Sequence, residues 1–304
     1  MGKAAFIFPG QGSQSVGMGK RLWEDHAEVR WLYETAGRLA GLDIKGLSFE
    51  GPADELDRDL PAQLSVYVCN EASRLSIVKA GVRPEAVTGY SMGFYNALVA
   101  AGSLSFEDGL LAVKAAGARA LAANTAVPGA MAAIIGLDER GAEELCRRAS
   151  TGAGVWVSNV NAARQVLVSG GVLDVARAVE LAAGAGALHA YMLNMGAAYH
   201  SPLMAGAARL FGQDIAGMSF RRPEIKLLSY ISAEYVEDPE AIRETVAGQV
   251  AMKVLWKGSV QRLIKDGVDR FIEVGPGSAL SRMVRWIDRE VSVAPLDGES
   301  GALS

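Results

Sequence analysis

The sequence predicts an α/β protein in which helices cover both faces of a parallel sheet and a small α+β unit is inserted. Short apolar strands alternate with long helical stretches, which is typical of parallel sheets. Two of the strands end in glycine-rich turns, and beyond Pro128 short strands follow one another closely. With 304 residues, the chain is long enough for one large domain that carries a smaller one.

The composition excludes several classes of protein. Hydrophobic residues make up 50% of the chain and charged residues 21%, which rules out a disordered chain, a collagen and a coiled coil. The net charge of -4 argues against a nucleic-acid partner. No apolar stretch approaches the roughly 20 residues of a membrane span. Two cysteines, Cys69 and Cys146, provide no disulfide framework. We therefore expect a cytoplasmic protein without a membrane or nucleic-acid partner.

The first strand, residues 4–8, ends at Pro9 and opens into residues 10–19, where four of ten positions are glycine. Such a loop lets the backbone approach another group closely. Helical patterns then fill residues 20–80. A second short strand, residues 86–88, precedes the sequence GYSMG and a long alanine-rich helix. Strands are also expected at residues 225–231 and 270–274.

The middle of the chain predicts a separate folding unit. Strands are expected at residues 131–137, 155–159, 165–169 and 187–193, and helices at residues 139–150 and 174–185. The order β-α-β-β-α-β is that of a ferredoxin-like fold. We therefore divide the chain into a large domain, residues 1–127 and 196–304, and a small subdomain, residues 128–195.

Ser91 is the strongest candidate for a catalytic residue. It is the centre of a G-x-S-x-G sequence between a strand and a helix, which is the pattern of a nucleophile elbow. The pattern alone also occurs in ordinary glycine-rich turns. The main evidence for a nucleophile is therefore its position between a strand and a helix.

A serine nucleophile needs a base, and the chain has three histidines. His26 lies among charged residues of a surface helix, and His189 lies in a predicted strand of the small subdomain. His200 lies in an irregular segment where the chain returns to the large domain, and loops on a rigid scaffold often hold catalytic side chains. By elimination, we predict that His200 is the base.

An oxyanion hole needs backbone N–H groups that point at the developing negative charge. The N–H of Met92, directly after the nucleophile, is one expected donor. The loop at residues 10–12 can supply the other. This loop could instead bind a phosphate, but it lacks the lysine of a P-loop and the G-x-G-x-x-G spacing.

Four motifs together resemble the malonyl-CoA:acyl-carrier-protein transacylase family, in the family's order and across nearly the whole chain. They are residues 8–14 (FPGQGSQ), 89–93 (GYSMG), 200–204 (HSPLM) and 273–277 (EVGPG). Residues 128–137, and Asn161 with residues 165–167, resemble it too. The resemblance implies an α/β-hydrolase-like domain with an inserted ferredoxin-like subdomain, in agreement with the pattern above.

The resemblance also implies a ping-pong mechanism. Ser91, activated by His200, would take an acyl group from a thioester and pass it to the phosphopantetheine thiol of an acyl carrier protein. The oxyanion donors would be the N–H groups of Gln11 and Met92, and the backbone carbonyl of Leu255 would orient the histidine. Acyl-CoA and the carrier protein would be substrates, with no permanently bound cofactor and no metal. We expect a monomer.

The sequence departs from the family at the acyl pocket. The family's carboxylate-binding arginine corresponds to Ala116, with Arg119 one helical turn further along. Tyr90 and Phe94 replace the residues that usually flank the serine motif. We expect the pocket to be formed by Gln63, Tyr90, Phe94, Ala116, Asn161 and Met195. Because neither Arg119 nor Lys114 replaces a bidentate fork without moving, we expect an uncharged acyl group rather than malonyl.

Three alternatives remain open. The enzyme could stay specific for malonyl through Arg119 or other contacts. It could be a hydrolase that clears acyl groups from carrier proteins, since the sequence does not reveal whether water reaches the acyl ester. It could also be a catalytically silent docking subunit, against which Ser91, His200 and Gln11 argue. The acyl group, the cognate carrier protein, the oligomeric state and the choice between fatty acid and polyketide pathways are not determined by the sequence.

Overall fold

The computed structural model describes residues 2–296, so residue 1 and residues 297–304 of the predicted large domain lie outside the described residues. The strands are β1 (Lys3–Phe8), β2 (Ala86–Gly89), β3 (Gly129–Ile135), β4 (Val155–Ala162), β5 (Gln165–Gly171), β6 (His189–Met192), β7 (Lys226–Ser229), β8 (Glu234–Tyr235), β9 (Val268–Glu273) and β10 (Ser292–Pro295). The α-helices are α1 (Lys20–Asp25), α2 (Ala27–Ala40), α3 (Ile44–Phe49), α4 (Ala53–Leu56), α5 (Asp59–Lys79), α6 (Gly93–Ala100), α7 (Phe106–Ala126), α8 (Glu139–Ala149), α9 (Val172–Ala182), α10 (Ala205–Asp214), α11 (Pro239–Gly248), α12 (Trp256–Lys265) and α13 (Ala279–Ile287).

The larger sheet has the strand order β10-β9-β1-β2-β7-β8 and is parallel except for β8, which pairs antiparallel with β7. Its central strand β1 is buried almost throughout, as expected for a strand covered on both faces. Phe8 at the end of β1 is in register with Gly89 at the end of β2. The loops that follow these two strands therefore leave the same edge of the sheet side by side.

The smaller sheet is antiparallel, in the order β4-β5-β3-β6, with α8 and α9 packed against it. This is the ferredoxin-like arrangement, and the predicted fold class is confirmed. A second hydrophobic core lies beneath these helices and includes Ile134, Leu145 and Val168. The boundaries that we drew at residues 128 and 195 stay predictions.

A segment of the large domain, residues 249–254, joins the two sheets. The N–H of Val254 donates to the carbonyl of Ser158, and the carbonyl of Val254 accepts from the N–H of Val160, both at 2.8 Å. Val254 therefore adds a short parallel bridge to the edge strand β4. Lys253, beside it, forms an ion pair with Glu139 of α8 at 2.7 Å. On its other side the hydroxyl of Tyr230, directly after β7, donates to Oε1 of Gln249 at 2.9 Å, so the segment is held from both sheets.

The helix α5 begins at Asp59, and Pro61 lies within its first turn. Proline is tolerated there because the first N–H groups of a helix have no intrahelical acceptor. Among residues 2–296, no helix is both long and apolar enough to cross a membrane.

Candidate active site

Ser91 lies on a tight turn between β2 and α6, where the sequence predicts a nucleophile elbow. Its φ is 52°, in the left-handed region that non-glycine residues seldom adopt. The turn is held close to the sheet, since a Cβ on Gly93 would meet the carbonyl of Phe8 and one on Gly89 would meet the backbone of Gly93. The two glycines of the motif are therefore required by the packing of α6 over β1 and β2.

His200 lies next to Ser91, with 2.7 Å between Nε2 of the imidazole and Oγ of the serine. Its Nδ1 is 3.0 Å from the carbonyl oxygen of Gln249 and 2.9 Å from that of Met252. Carbonyl oxygens only accept hydrogen bonds, so Nδ1 carries the proton and Nε2 is free to accept one from Ser91. This is the tautomer that a general base requires.

The prediction that Leu255 orients the histidine is wrong. Leu255 is the N-cap residue of α12, and its carbonyl accepts hydrogen bonds from the N–H and the hydroxyl of Ser259. Because that carbonyl points along the helix, it is not available to the imidazole. Gln249 and Met252, in the joining segment 249–254, orient His200 instead.

The imidazole of His200 is almost completely buried, with 6% of the residue exposed. Burial lowers its pKa to about 4, although the hydrogen bonds to the carbonyls of Met252 and Gln249 act in the opposite direction. The ring is therefore neutral at physiological pH, as a base must be before it accepts a proton.

Two backbone N–H groups lie free near the serine. Within residues 2–296, the N–H groups of Gln11 and Met92 donate to no protein acceptor. Gln11 follows β1 and Met92 is the N-cap residue of α6, so both belong to the loops that leave the same edge of the sheet. Free donors at a helix N-terminus can bind a developing negative charge.

A cavity of about 110 Å³ opens beside Ser91. Eight of the residues expected at the site line it: Gln11, Gln63, Tyr90, Ser91, Met92, Ala116, Met195 and His200. The other lining residues were not predicted from the sequence, and they are Tyr95, Val113, Gly117, Met131, Asn159, Leu167, Leu193, Tyr199, Gln249 and Val250. The missed residue Tyr199 directly precedes His200, and Gly117 directly follows Ala116, so proximity in sequence is the signal that could have found them.

A chain of polar side chains forms one wall of this cavity. Nε2 of Gln11 donates to Oδ1 of Asp59 at 2.6 Å, and Nε2 of Gln63 donates to Oε1 of Gln11 at 2.9 Å and to the hydroxyl of Tyr199 at 3.1 Å. The Tyr199 hydroxyl in turn donates to Oδ2 of Asp59 at 3.3 Å, and burial raises the pKa of this phenol. Asp59 is buried, and nothing in the sequence pattern marks it as part of the site.

No arginine or lysine side chain lines the cavity in the described part of the chain. Ala116 occupies the wall where the resemblance implies an arginine. Arg119 is held elsewhere by a bidentate pair with Asp214, at 2.7 Å for each hydrogen bond. Lys114 donates to the carbonyl of Leu39 on another face of α7. Neither cation reaches the acyl pocket without breaking these contacts.

Two of the predicted pocket residues lie outside the cavity lining. Phe94 is fully buried with its ring edge against Tyr230, at 5.5 Å between centroids, because it points from α6 into the core. Asn161 lies behind Tyr90 and accepts a hydrogen bond from its hydroxyl at 2.8 Å. Asn159, two residues earlier on the same strand, donates to that hydroxyl at 2.7 Å and lines the cavity.

Known proteins are similar to this chain over nearly its whole length. The family model described as "Acyl transferase domain" matches residues 5–296. The malonyl CoA-acyl carrier protein transacylase of Bacillus subtilis is 34% identical over 302 residues, which is 99% of this chain and 95% of that protein.

Solved structures of related enzymes are also similar to this chain. The malonyl-CoA:acyl carrier protein transacylase of Xanthomonas oryzae superimposes with a TM-score of 0.92 at 36% identity, over 97% of this chain and 94% of that one. A malonyl-transacylase solved in complex with a type II polyketide-synthase acyl carrier protein has a TM-score of 0.92 at 30% identity, over 98% of this chain and 97% of that one.

The fold and the serine–histidine pair thus define an acyltransferase of the α/β-hydrolase-like class. The chain belongs to the acyl transferase domain family, among the malonyl-CoA:acyl-carrier-protein transacylases.

Proposed function

We propose that this enzyme moves an uncharged acyl group between coenzyme A and acyl-carrier-protein thioesters through an acyl ester on Ser91. The observation that carries the proposal is that Nε2 of His200 lies 2.7 Å from the Ser91 hydroxyl while two backbone carbonyls fix its tautomer, and that both side chains line one cavity.

In the first half-reaction, Nε2 of His200 accepts the proton of the Ser91 hydroxyl while Oγ attacks the thioester carbonyl. The N–H groups of Gln11 and Met92 stabilise the oxyanion. The tetrahedral intermediate collapses, the carbon–sulfur bond breaks, and the imidazolium returns its proton to the departing thiolate. In the second half-reaction the phosphopantetheine thiol of the carrier protein attacks the ester, and the same proton transfers occur in reverse order.

Charge and size support an uncharged acyl group. A carboxylate enclosed without a cation is costly, and the cavity offers none in the described chain. The wall instead contains amide and hydroxyl groups linked to the carboxylate of Asp59. Because an apolar cavity of about 150 Å³ holds benzene, a cavity of about 110 Å³ suits an acyl chain of a few carbons.

An acyl carrier protein is the proposed acceptor, supported by the related malonyl-transacylase that was solved with its carrier protein. We infer that acyl-CoA is the donor and that no resident cofactor takes part, since the proton transfers above need only Ser91 and His200. Action in the cytoplasm as a monomer stays a prediction.

The test is acyl loading measured by mass spectrometry. The purified enzyme is mixed with equal concentrations of malonyl-, acetyl- and butyryl-CoA, and the mass added to Ser91 is followed over time, with Ser91→Ala as the unreactive control. We expect acetyl or butyryl to load faster than malonyl. Faster malonyl loading would overturn the proposed specificity. Release of free acid, rather than transfer to a carrier-protein thiol, would instead identify a hydrolase.

A further inference from the structure

We propose that Asp59 is a positioning residue that fixes the direction of the Gln11–Gln63 amide pair, so that the acyl pocket selects a group that donates a hydrogen bond and rejects a carboxylate. The inference rests on the proposed acyl loading of Ser91. It concerns the polar wall of the cavity formed by Gln11, Gln63 and Tyr199, which reaches Gly117 beside the position of the missing arginine.

The direction of the amide pair follows from the carboxylate. A carboxylate only accepts hydrogen bonds, so the amide of Gln11 must turn its Nε2 toward Asp59, at 2.6 Å. Oε1 of Gln11 then faces Gln63 and can only accept, so Gln63 must turn its own Nε2 toward Gln11, at 2.9 Å. The remaining atom, Oε1 of Gln63, therefore points away from Gln11 and Asp59.

That oxygen is an unused acceptor in the pocket. Gln63 is 6% exposed, and within residues 2–296 no group donates to its Oε1. A Cβ placed on Gly117 would lie 2.8 Å from this oxygen, so the oxygen rests against the glycine that lines the cavity beside Ala116. The absence of a side chain at residue 117 leaves room for it.

Asp59 is held in place independently of the amide pair. The N–H of Gly196 donates to both of its oxygens, at 3.1 and 3.0 Å, and the Tyr199 hydroxyl donates to Oδ2. It also lies in the first turn of the long helix α5, where a negative charge is favoured. Both of its oxygens are thus occupied by donors, and the amide of Gln11 is the one that connects them to the acyl pocket.

The pocket therefore presents an acceptor oxygen in an otherwise largely apolar cavity. A hydroxyl group on the acyl chain would satisfy it, whereas the carboxylate of a malonyl group would face an oxygen and, behind it, a like charge. The substrate class that fits is a short, uncharged acyl thioester carrying a hydroxyl donor.

The experiment compares loading of Ser91 by butyryl-CoA, by 2-, 3- and 4-hydroxybutyryl-CoA and by malonyl-CoA, in the wild-type enzyme and in Asp59→Asn. The three hydroxyl positions cover the depths in the cavity at which a donor can meet Gln63. In the wild type we expect at least one donor-bearing acyl group to load about fivefold faster than butyryl.

An asparagine at position 59 can donate as well as accept, so both glutamines are free to reverse and present Nε2 to the pocket. We expect the ratio of donor-bearing to butyryl loading rates to fall from about five to about one. The malonyl loading rate should rise about tenfold relative to butyryl. Asp54→Asn makes the same change at an exposed carboxylate of α4 and should leave both ratios unchanged.

If Asp59→Asn does not fold, Gly117→Ala provides a second test, because its methyl group displaces Oε1 of Gln63 and should abolish the preference for a donor. Equal loading of butyryl and all donor-bearing groups by the wild type, or unaltered ratios in the variant, would overturn the inference while the proposed acyl transfer stands. Failure of every acyl-CoA to load the wild type would overturn both.

Discussion

Ser91 and His200 share an uncommon backbone conformation, with φ of 52° and 60°. Both side chains are thereby turned out of their local elements toward one another. Non-glycine residues in this region store strain, which the surrounding structure must offset and which is frequent at active sites. For His200 the compensation is visible, since its own N–H donates to the carbonyl of Val250 at 2.7 Å while its ring is held by two further carbonyls.

The lowered pKa of His200 predicts an unusual pH dependence. An ordinary histidine with a pKa near 6.5 would lose about tenfold in base concentration at pH 5.5, whereas a base with a pKa of about 4 stays deprotonated. We therefore expect the acyl-loading rate at pH 5.5 to remain close to its value at pH 7.5 and to fall only as the pH decreases toward 4. Single-turnover loading measures this directly, and a midpoint near 6.5 would contradict it.

Folding must be monitored in the same samples. Because the pKa of His200 is lower in the folded protein than in the unfolded chain, the unfolded state binds more protons between about pH 6.5 and about pH 4. Stability is therefore lost as the pH falls through that window. Circular dichroism at pH 5.5 separates loss of structure from loss of the base.

The sequence predicted residues that stand in short motifs and missed those that long-range folding brings together. Ser91 and His200 could be chosen because a strand–turn–helix pattern and an irregular segment are local properties. The carbonyl partner of the imidazole depends on how residues 249–254 run between two sheets, which no local pattern encodes, and so Leu255 was the wrong choice. Asp59 was missed for the same reason, since it meets Gly196 only in the fold.

At the scale of elements, the serine turn depends on how closely α6 can approach the sheet. The sequence predicted the alternation of strands and helices correctly, with most ends close to those in the structure. The long alanine-rich helix expected after the serine is two helices, α6 and α7, and α6 begins at Gly93. Gly93 is disfavoured in a helix by propensity, but it is needed for contact with β1.

Gly93→Ala should therefore be severely disruptive. Its Cβ would meet the carbonyl of Phe8 and the backbone of Pro9, and a backbone cannot move aside as a flexible side chain can. We expect a loss of about 3 kcal/mol or more in the free energy of unfolding, together with loss of Ser91 loading. Urea denaturation followed by circular dichroism gives the first quantity, and intact-protein mass gives the second.

Gly206→Ala is the matched control. Gly206 lies in α10, where an added Cβ has no neighbour within 4 Å, and alanine favours the helix by about 1 kcal/mol. It should leave loading unchanged and stability equal or slightly higher. If the two substitutions had similar effects, Gly93 would not be required for the close approach of α6 to β1.

At the scale of the whole molecule, the active site is formed where the two sheets meet. Segment 249–254 binds the imidazole through two carbonyls and pairs with β4 through Val254. A second link lies on the other side of the serine, where the hydroxyl of Tyr90 joins Asn159 and Asn161 of the same strand. The orientation of the small sheet therefore bears on both catalytic side chains.

Tyr90→Phe tests the second link. It preserves the ring, which packs edge-on against Trp256 at 5.6 Å between centroids, and removes only the hydroxyl. Asn159 then loses an acceptor and Asn161 loses a donor, and because each residue is only 1% exposed, water does not replace the lost hydroxyl. Leaving such groups unsatisfied costs about 1–3 kcal/mol, so we expect a destabilisation of that size in urea denaturation.

Tyr191→Phe makes the identical change on β6 of the small sheet, where the side chain is about half exposed and, among the described residues, forms no hydrogen bond through its hydroxyl. Its effect should stay within about 0.5 kcal/mol. Equal destabilisation by the two variants would mean that the Tyr90 hydroxyl does not hold the sheets together. A larger destabilisation by Tyr90→Phe alone would show that this hydroxyl holds the small sheet against the serine turn, since the variant keeps the ring and changes no other side chain.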